Sequence, residues 1–144
     1  FADANVEDIL GDDMEDALHY RANLFASVIL KSNNGILSVE PLPQEAQIST
    51  VNGIVAKDFD QDGFIDIFLG GNFYHSEAET TRADASVGLM LSGDGNQNFQ
   101  TVSGFHSGLF IPYDVKDIQP IRLGEKGGII VSSNSDSLRL FIHK

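Results

Sequence analysis

The sequence predicts a mostly β protein of antiparallel strands, preceded by a short helical segment. From Leu24 onward, short runs of apolar and β-branched residues alternate with turns rich in Gly, Asn and Asp. Similar segments recur about 60 residues apart, and this spacing indicates a repeated structural unit. The first 18 residues differ, because they are acidic and place apolar residues at helical spacing.

Composition limits the classes of partner. The chain has 144 residues, 9 of them basic and 21 acidic, a formal net charge of −12 and no cysteine. Its length suits one domain. The negative charge repels nucleic acid and anionic membrane surfaces, so we expect no nucleic-acid binding and instead expect a cation. No apolar run is long enough to span a bilayer, so we expect no membrane insertion. Without cysteine, disulfides, zinc thiolates and thiol nucleophiles are excluded.

Residues 1–20 are predicted to form a helical or arm-like segment. Val6, Leu10 and Met14 share one helical face, but Gly11 interrupts the pattern, so a solvated acidic arm is the alternative. The segment has neither the basic region nor the apolar run of a signal peptide. We therefore expect a fragment or a mature product.

Nine strands are predicted after this segment. They cover residues 24–31, 36–42, 53–59, 64–73, 87–92, 99–103, 115–123, 128–133 and 138–143. Polar turns at 33–35 and 93–95 contain residue types that tolerate positive φ, which indicates hairpins. Residues 74–86 form a polar excursion of the kind that often carries binding residues.

An internal comparison extends the fold prediction. Residues 55–59 resemble residues 114–118, and residues 67–72 resemble residues 129–134, at offsets of 59 and 62. The turns at 33–35 and 93–95 are 60 residues apart. A unit of this length with four short strands is typical of a β-propeller blade. Within residues 21–144 we predict about two blades of an incomplete ring: a partial blade at 24–43, a full blade at 53–103 and a partial blade at 114–144.

Residues 58–66 predict a calcium site. Carboxylates stand at positions 1, 3, 5 and 9 of this loop, with Gly63 at position 6. Calcium binds six to eight oxygens, and alternate side chains of a tight loop can converge on one ion. An EF-hand is excluded because Leu69 occupies its position 12; an acidic turn without metal is the alternative. The predicted ligands are the carboxylates of Asp58, Asp60, Asp62 and Asp66 and the backbone carbonyl of Phe64.

The string DFDQDGFIDI at 58–67, with its flanks, resembles the FG-GAP or VCBS-type repeat of secreted and cell-surface propellers, including integrin α-subunits. The resemblance implies that this loop links the first two strands of a blade and binds calcium structurally through the same five residues. Segments 42–47, 82–86 and 133–136 are similar to the C-terminal part of long bacterial VCBS-repeat proteins, which are exported or surface-attached. The turn at 117–120, taken as the equivalent turn in the next blade, lacks the carboxylate series, so one metal site is expected.

We therefore expect a non-enzymatic, extracytoplasmic calcium-binding propeller fragment, secreted, periplasmic or attached to the cell surface. It would act as a structural or interaction module in adhesion or ligand binding, with an unidentified protein or glycan partner. The rest of a parent propeller, or self-association, would cover its open blade edges.

Catalysis is not expected from the histidines. His19, His75, His106 and His143 are scattered, with no pair at metal-ligand spacing. The alternative function is an accessory part of a surface hydrolase or polysaccharide-active enzyme. The candidate binding residues for either function lie in the 74–86 excursion and are His75, Glu77, Arg82 and Asp84.

Overall fold

A computed structural model of the chain describes residues 3–142, which form three antiparallel sheets. The strands are β1 (Val28–Asn33), β2 (Ile36–Pro41), β3 (Val51–Lys57), β4 (Asp66–Gly71), β5 (Leu89–Gly93), β6 (Phe99–Val102), β7 (Val115–Leu123), β8 (Lys126–Ser133) and β9 (Arg139–Ile142). The sheets contain β1-β2, β3-β4-β5-β6 and β7-β8-β9 in chain order. None closes on itself within residues 3–142.

The predicted mostly β, antiparallel character is confirmed, with shifts at strand ends. β1 begins at Val28 rather than at residue 24. β4 begins at Asp66 rather than at residue 64, because Phe64 and Ile65 belong to the preceding loop. The last predicted strand included His143, which lies outside the described residues.

The N-terminal segment contains two short helical turns. Helix α1 (Val6–Leu10) ends at Gly11, which has φ 53°, and a 3-10 turn (Gly11–Met14) follows. At the start of α1 the Asp8 carboxylate accepts a hydrogen bond from the Asn5 N–H at 2.9 Å. Neither turn contains a buried residue. The helical conformation agrees with the amphipathic pattern, but the apolar side chains of these two turns are not buried.

The main core lies between the facing sides of the second and third sheets. Val55 on β3, Phe68 on β4, Ile118 on β7, and Ile129 and Val131 on β8 are at most 4% exposed. Burying each of these side chains contributes about 1.5–3 kcal/mol. This interface therefore fixes how the two sheets lie relative to each other.

Glycines allow the sheets to approach closely at their first strands. A Cβ at Gly70 would lie 2.5 Å from Cδ1 of Ile118, and one at Gly53 would lie 2.6 Å from Cγ1 of the same residue. A larger residue at either position would force the Ile118 side chain to shift. The opposite side of the second sheet packs separately, where Leu69 and Leu91 contact Ala46.

The second and third sheets begin with the same irregularity. The β3–β4 register shifts between Val51 and Gly53, and the β7–β8 register shifts between Val115 and Asp117. A backbone hydrogen bond closes each strand pair, from Asn72 N to the Thr50 carbonyl at 3.3 Å and from Asn134 N to the Asp114 carbonyl at 2.8 Å. The first strands thus repeat at 64 residues (51 to 115) and the second strands at 62 (72 to 134).

The predicted offset of 59 for the first strands is therefore wrong, and so is the predicted turn at 117–120. Those residues lie inside β7, and the turn that corresponds to the loop 58–65 consists of Gly124 and Glu125. The error arose because β7 has nine residues and β3 has seven. Matching the Lys-Asp pairs placed Asp117 opposite Asp58, although Asp117 stands near the start of its strand.

Candidate metal centre

The loop between β3 and β4 is wrapped around the carboxylate of its first residue, Asp58. Oδ1 of Asp58 accepts a hydrogen bond from the Gln61 N–H at 2.7 Å, and Oδ2 accepts one from the Gly63 N–H at 3.0 Å. Gln61 and Gly63 have φ of 65° and 93°, the left-handed region that turns the chain back on itself. Local hydrogen bonds therefore hold the loop curved around this side chain.

Two further aspartates stabilise the outer part of the loop. Oδ1 of Asp60 accepts from the Asp62 N–H at 3.1 Å, and Oδ1 of Asp62 accepts from the Phe64 N–H at 2.8 Å. Both carboxylates are exposed. Asp58, Asp60 and Asp62 therefore place carboxylate oxygens at every second residue of the loop.

Asp66 is the buried anchor of the loop. It is the first residue of β4, it is 0% exposed, and each of its oxygens accepts a backbone hydrogen bond. Oδ2 accepts from the Phe59 N–H at 2.9 Å and Oδ1 from the Gly93 N–H at 3.1 Å. This one carboxylate ties the start of the loop to the end of β5.

Three of the predicted ligands converge. One carboxylate oxygen each from Asp58, Asp60 and Asp66 lies within 4.8 Å of the others, a grouping that could hold a metal ion. The Asp62 carboxylate, another predicted ligand, is not part of this group of side chains. Three carboxylates suit a hard divalent cation such as calcium, which prefers oxygen ligands, and the cation would offset their mutual repulsion.

The loop also packs against the turn between β5 and β6. A Cβ at Gly95 would lie 2.4 Å from the Phe64 ring, so the ring lies over the turn where a larger residue would displace it. In the turn, hydrogen bonds from the Asn98 side chain and from the Asn96 and Asn98 backbone amides lower the pKa of Asp94. Its oxygens are directed to local amides, consistent with the structural role predicted for residues 93–95.

The four candidate binding residues of the 74–86 excursion do not form one site. Arg82 forms an ion pair with Asp84 at 2.7 Å and lies 4.8 Å from the centre of the Tyr74 ring. Glu77 accepts a hydrogen bond from the Thr80 hydroxyl at 3.1 Å. His75 instead contacts the next sheet, with Nδ1 3.3 Å from Asp114 Oδ2.

The sequence prediction missed Asp114, which is buried at the start of β7. Its carboxylate accepts a hydrogen bond from Lys116 Nζ at 2.7 Å and faces His75. Burial is the strongest influence on the pKa of Asp114 and raises it. Hydrogen bonds from Lys116, His75 and the Tyr74 backbone, with the Lys116 charge, outweigh burial and bring the pKa below its ordinary value of 3.8.

Asn72 was also missed, although it is fully buried at the end of β4. Its side-chain oxygen accepts from the Ser49 hydroxyl and the Ser86 N–H, and its amide group donates to the Ser86 and Tyr113 carbonyls, all at 2.8–3.2 Å. Asn72 thus links three connecting segments, those that contain Ser49, Ser86 and Tyr113. The match of 67–72 with 129–134, which pairs Asn72 with Asn134, is the sequence signal that could have revealed it.

The other described histidines have local partners. His106 Nδ1 lies 2.7 Å from the Ser103 hydroxyl at the start of helix α2 (Gly104–Ser107), and His19 Nε2 lies 3.4 Å from the Met14 carbonyl. His143 lies outside the described residues. Within residues 3–142, none of the histidines belongs to the carboxylate group at the loop.

A cavity of about 630 Å³ lies beside the loop, between the second and third sheets. Asp58 and Asp60 stand on its wall, and none of the four candidate residues of the 74–86 excursion lines it. Among the described residues, no helix is both long and apolar enough to cross a bilayer.

Comparisons of the chain with models of protein families, with curated proteins and with solved structures gave no match.

Proposed function

We propose that this chain is part of a calcium-binding β-propeller in which the loop at 58–66 holds the ion and stiffens one blade. The observation that carries the proposal is the convergence of carboxylate oxygens from Asp58, Asp60 and Asp66 within 4.8 Å. The four-stranded meander of residues 51–102, which packs face to face on a sheet with the same initial irregularity, supports the propeller assignment.

In this proposal calcium has a structural role. The ion joins the exposed Asp60 to the buried Asp66, which is already fixed to β5, and the Asp62 carboxylate and the Phe64 carbonyl complete its coordination as the loop tightens. A carboxylate bound to calcium cannot hold the proton that a general acid donates, so the loop is not assigned a catalytic step. The chain is proposed to be non-enzymatic.

The proposed location is extracytoplasmic. Calcium modules outside cells bind with dissociation constants of roughly 10⁻⁴ to 10⁻³ M, which suits millimolar calcium and leaves such a site largely empty in the cytosol. The proposed role is that of a structural and interaction module, with a protein or glycan as the partner.

Calcium-dependent stability tests the metal site. At about 10 to 100 times the dissociation constant, calcium raises the free energy of unfolding by about 1.4–2.7 kcal/mol. For a domain of this size, that increase raises the melting temperature by about 4–8 °C. Thermal unfolding followed by circular dichroism, with chelator and then with about 10 mM calcium, measures this shift, and isothermal titration calorimetry measures the affinity directly.

Two variants test whether the calcium-induced rise in melting temperature arises at the loop. We expect Asp60→Asn to melt like the wild type in chelator and to lose most of the calcium-induced rise, since Asp60 is exposed and belongs to the carboxylate group. Asp84→Asn removes one negative charge elsewhere and should retain the whole rise. Melting of the wild type that is indifferent to calcium would refute the proposal.

A further inference from the structure

The cavity between the second and third sheets has the size and lining of a small-molecule site. Its volume of about 630 Å³ lies within the range of roughly 300–1,000 Å³ that ligand pockets occupy. Its apolar wall includes Met90 from β5, Leu109 from the segment after α2, Ile129 from β8 and Phe141 from β9. Except for Ile129, these side chains are only partly buried. They offer apolar surface that a ligand could cover.

One lysine enters this space from the second sheet. Lys57 follows Val55 on the core-facing side of β3, so its side chain continues the line of the core toward the loop. Across from it, Gly127 occupies the corresponding side of β8, in line with Ile129. A Cβ at Gly127 would lie 2.7 Å from Lys57 Nζ. The Lys57 ammonium group therefore occupies space that a larger residue at position 127 would fill.

This ammonium group has no protein partner among the described residues. Within residues 3–142, the lysines that form side-chain hydrogen bonds or ion pairs are Lys31 and Lys116. Lys57 is half-buried in a cavity with a large apolar share. Lys57 Nζ is not among the fully buried polar atoms that lack a partner, so it keeps access to water. A bound anion would replace that water with an ion pair.

The surrounding charges limit the anion to one negative charge. The lining carries two cations, Lys57 and Arg122, against three carboxylates, Asp58, Asp60 and Glu125. Two nearby carboxylates repel a phosphate or a dicarboxylate more strongly than a monocarboxylate. The apolar wall that includes Met90 would contact an apolar group attached to such an anion.

We infer that this cavity binds small amphipathic monocarboxylates, with the carboxylate on Lys57 Nζ and the apolar body between the two sheets. The inference rests on the cavity, on Gly127 and on the unpaired ammonium group, and it does not require calcium. Calcium at the loop would only reduce the repulsion from Asp58 and Asp60.

Three ligands that share one body test the charge requirement: 4-phenylbutyrate, 4-phenylbutan-1-ol and 4-phenylbutylamine. Each is titrated into the ¹⁵N-labelled full chain, and amide shifts in two-dimensional NMR spectra report affinity and position. We expect the carboxylate to bind roughly fivefold more tightly than the alcohol, the upper end for a partly exposed ion pair, and the amine to bind most weakly. The shifts should centre on Lys57 and residues 127–129.

Two variants and a control separate the contribution of the Lys57 charge from that of the apolar cavity. Lys57→Met should remove the preference for the carboxylate over the alcohol, whereas Lys126→Met, which removes the same charge outside the cavity lining, should keep it. Val102→Trp places a larger side chain in the cavity and should weaken both ligands. Circular dichroism confirms that each variant is folded.

The wild-type comparison by itself can overturn the inference. Equal affinity for the carboxylate and the alcohol, or shifts confined to residues outside the cavity, would show that Lys57 does not select an anion there. Repeating the titrations with chelator and with calcium separates this result from the metal site. Carboxylate binding in chelator supports the cavity even where calcium binding fails, and calcium-induced stabilisation without ligand binding supports the metal site alone.

Discussion

Replacing Asp66 by asparagine tests whether a buried carboxylate anchors the loop independently of any ion. Its two oxygens accept hydrogen bonds from the Phe59 and Gly93 amides at 2.9 and 3.1 Å. Asparagine keeps one acceptor and turns an NH₂ group toward the other N–H. A hydrogen bond to a charged group contributes about 1.5–3 kcal/mol, so we expect Asp66→Asn to lower the free energy of unfolding by about 2 kcal/mol. Asp66→Ala loses both acceptors and should lower it by about 4 kcal/mol.

Urea unfolding in the presence of a chelator measures these changes without any contribution from calcium. Asp62→Asn is the matched control, because its exposed side chain keeps an oxygen that can accept from the Phe64 N–H. We expect the control to change stability by less than about 0.5 kcal/mol. Equal urea midpoints for Asp66→Asn and Asp62→Asn would refute the anchoring role of Asp66.

Three further changes test other parts of the fold. Asn72→Ala leaves several buried hydrogen-bonding groups without partners and should lower the free energy of unfolding by about 3 kcal/mol in urea titrations. Gly71→Ala places a Cβ 1.6 Å from the Thr50 carbonyl oxygen, so we expect a loss of more than about 3 kcal/mol; wild-type melting would contradict this contact. The lowered pKa of Asp114 contributes stability that is complete above pH 3.8 and is lost as pH falls through the lower folded-state pKa. Lys116→Met should reduce this acid sensitivity in urea unfolding at pH 2–5, and an unchanged profile would count against it.

The strands and the loop were predictable because their signals are local. Asn33 and the residues after it form a polar turn between two apolar runs, and the structure has a hairpin there. The acidic spacing of residues 58–66 was likewise visible, and the structure places these residues in the turn between β3 and β4. Each of these features depends on residues within about ten positions of one another.

Offsets between repeats were harder to predict, since they depend on strand lengths. Asp117 resembles Asp58 in its neighbours, yet β7 continues for six residues beyond Asp117 before it turns. The roles of Asp114 and His75 were equally hidden, because their contact joins residues 39 positions apart in sequence. A sequence pattern does not report which distant residues a sheet brings together.

Sequence alone determined the antiparallel β character, the acidic loop and the absence of cysteine chemistry, because composition, periodicity and turn residues act over short stretches of chain. Tertiary structure decided that Asp66 is buried against Gly93 while Asp62 stays apart from the carboxylate group. It also decided that Lys57 faces Gly127 across a cavity. These features follow from strand register and from the packing of one sheet on another, and both are set by contacts between residues far apart in the chain.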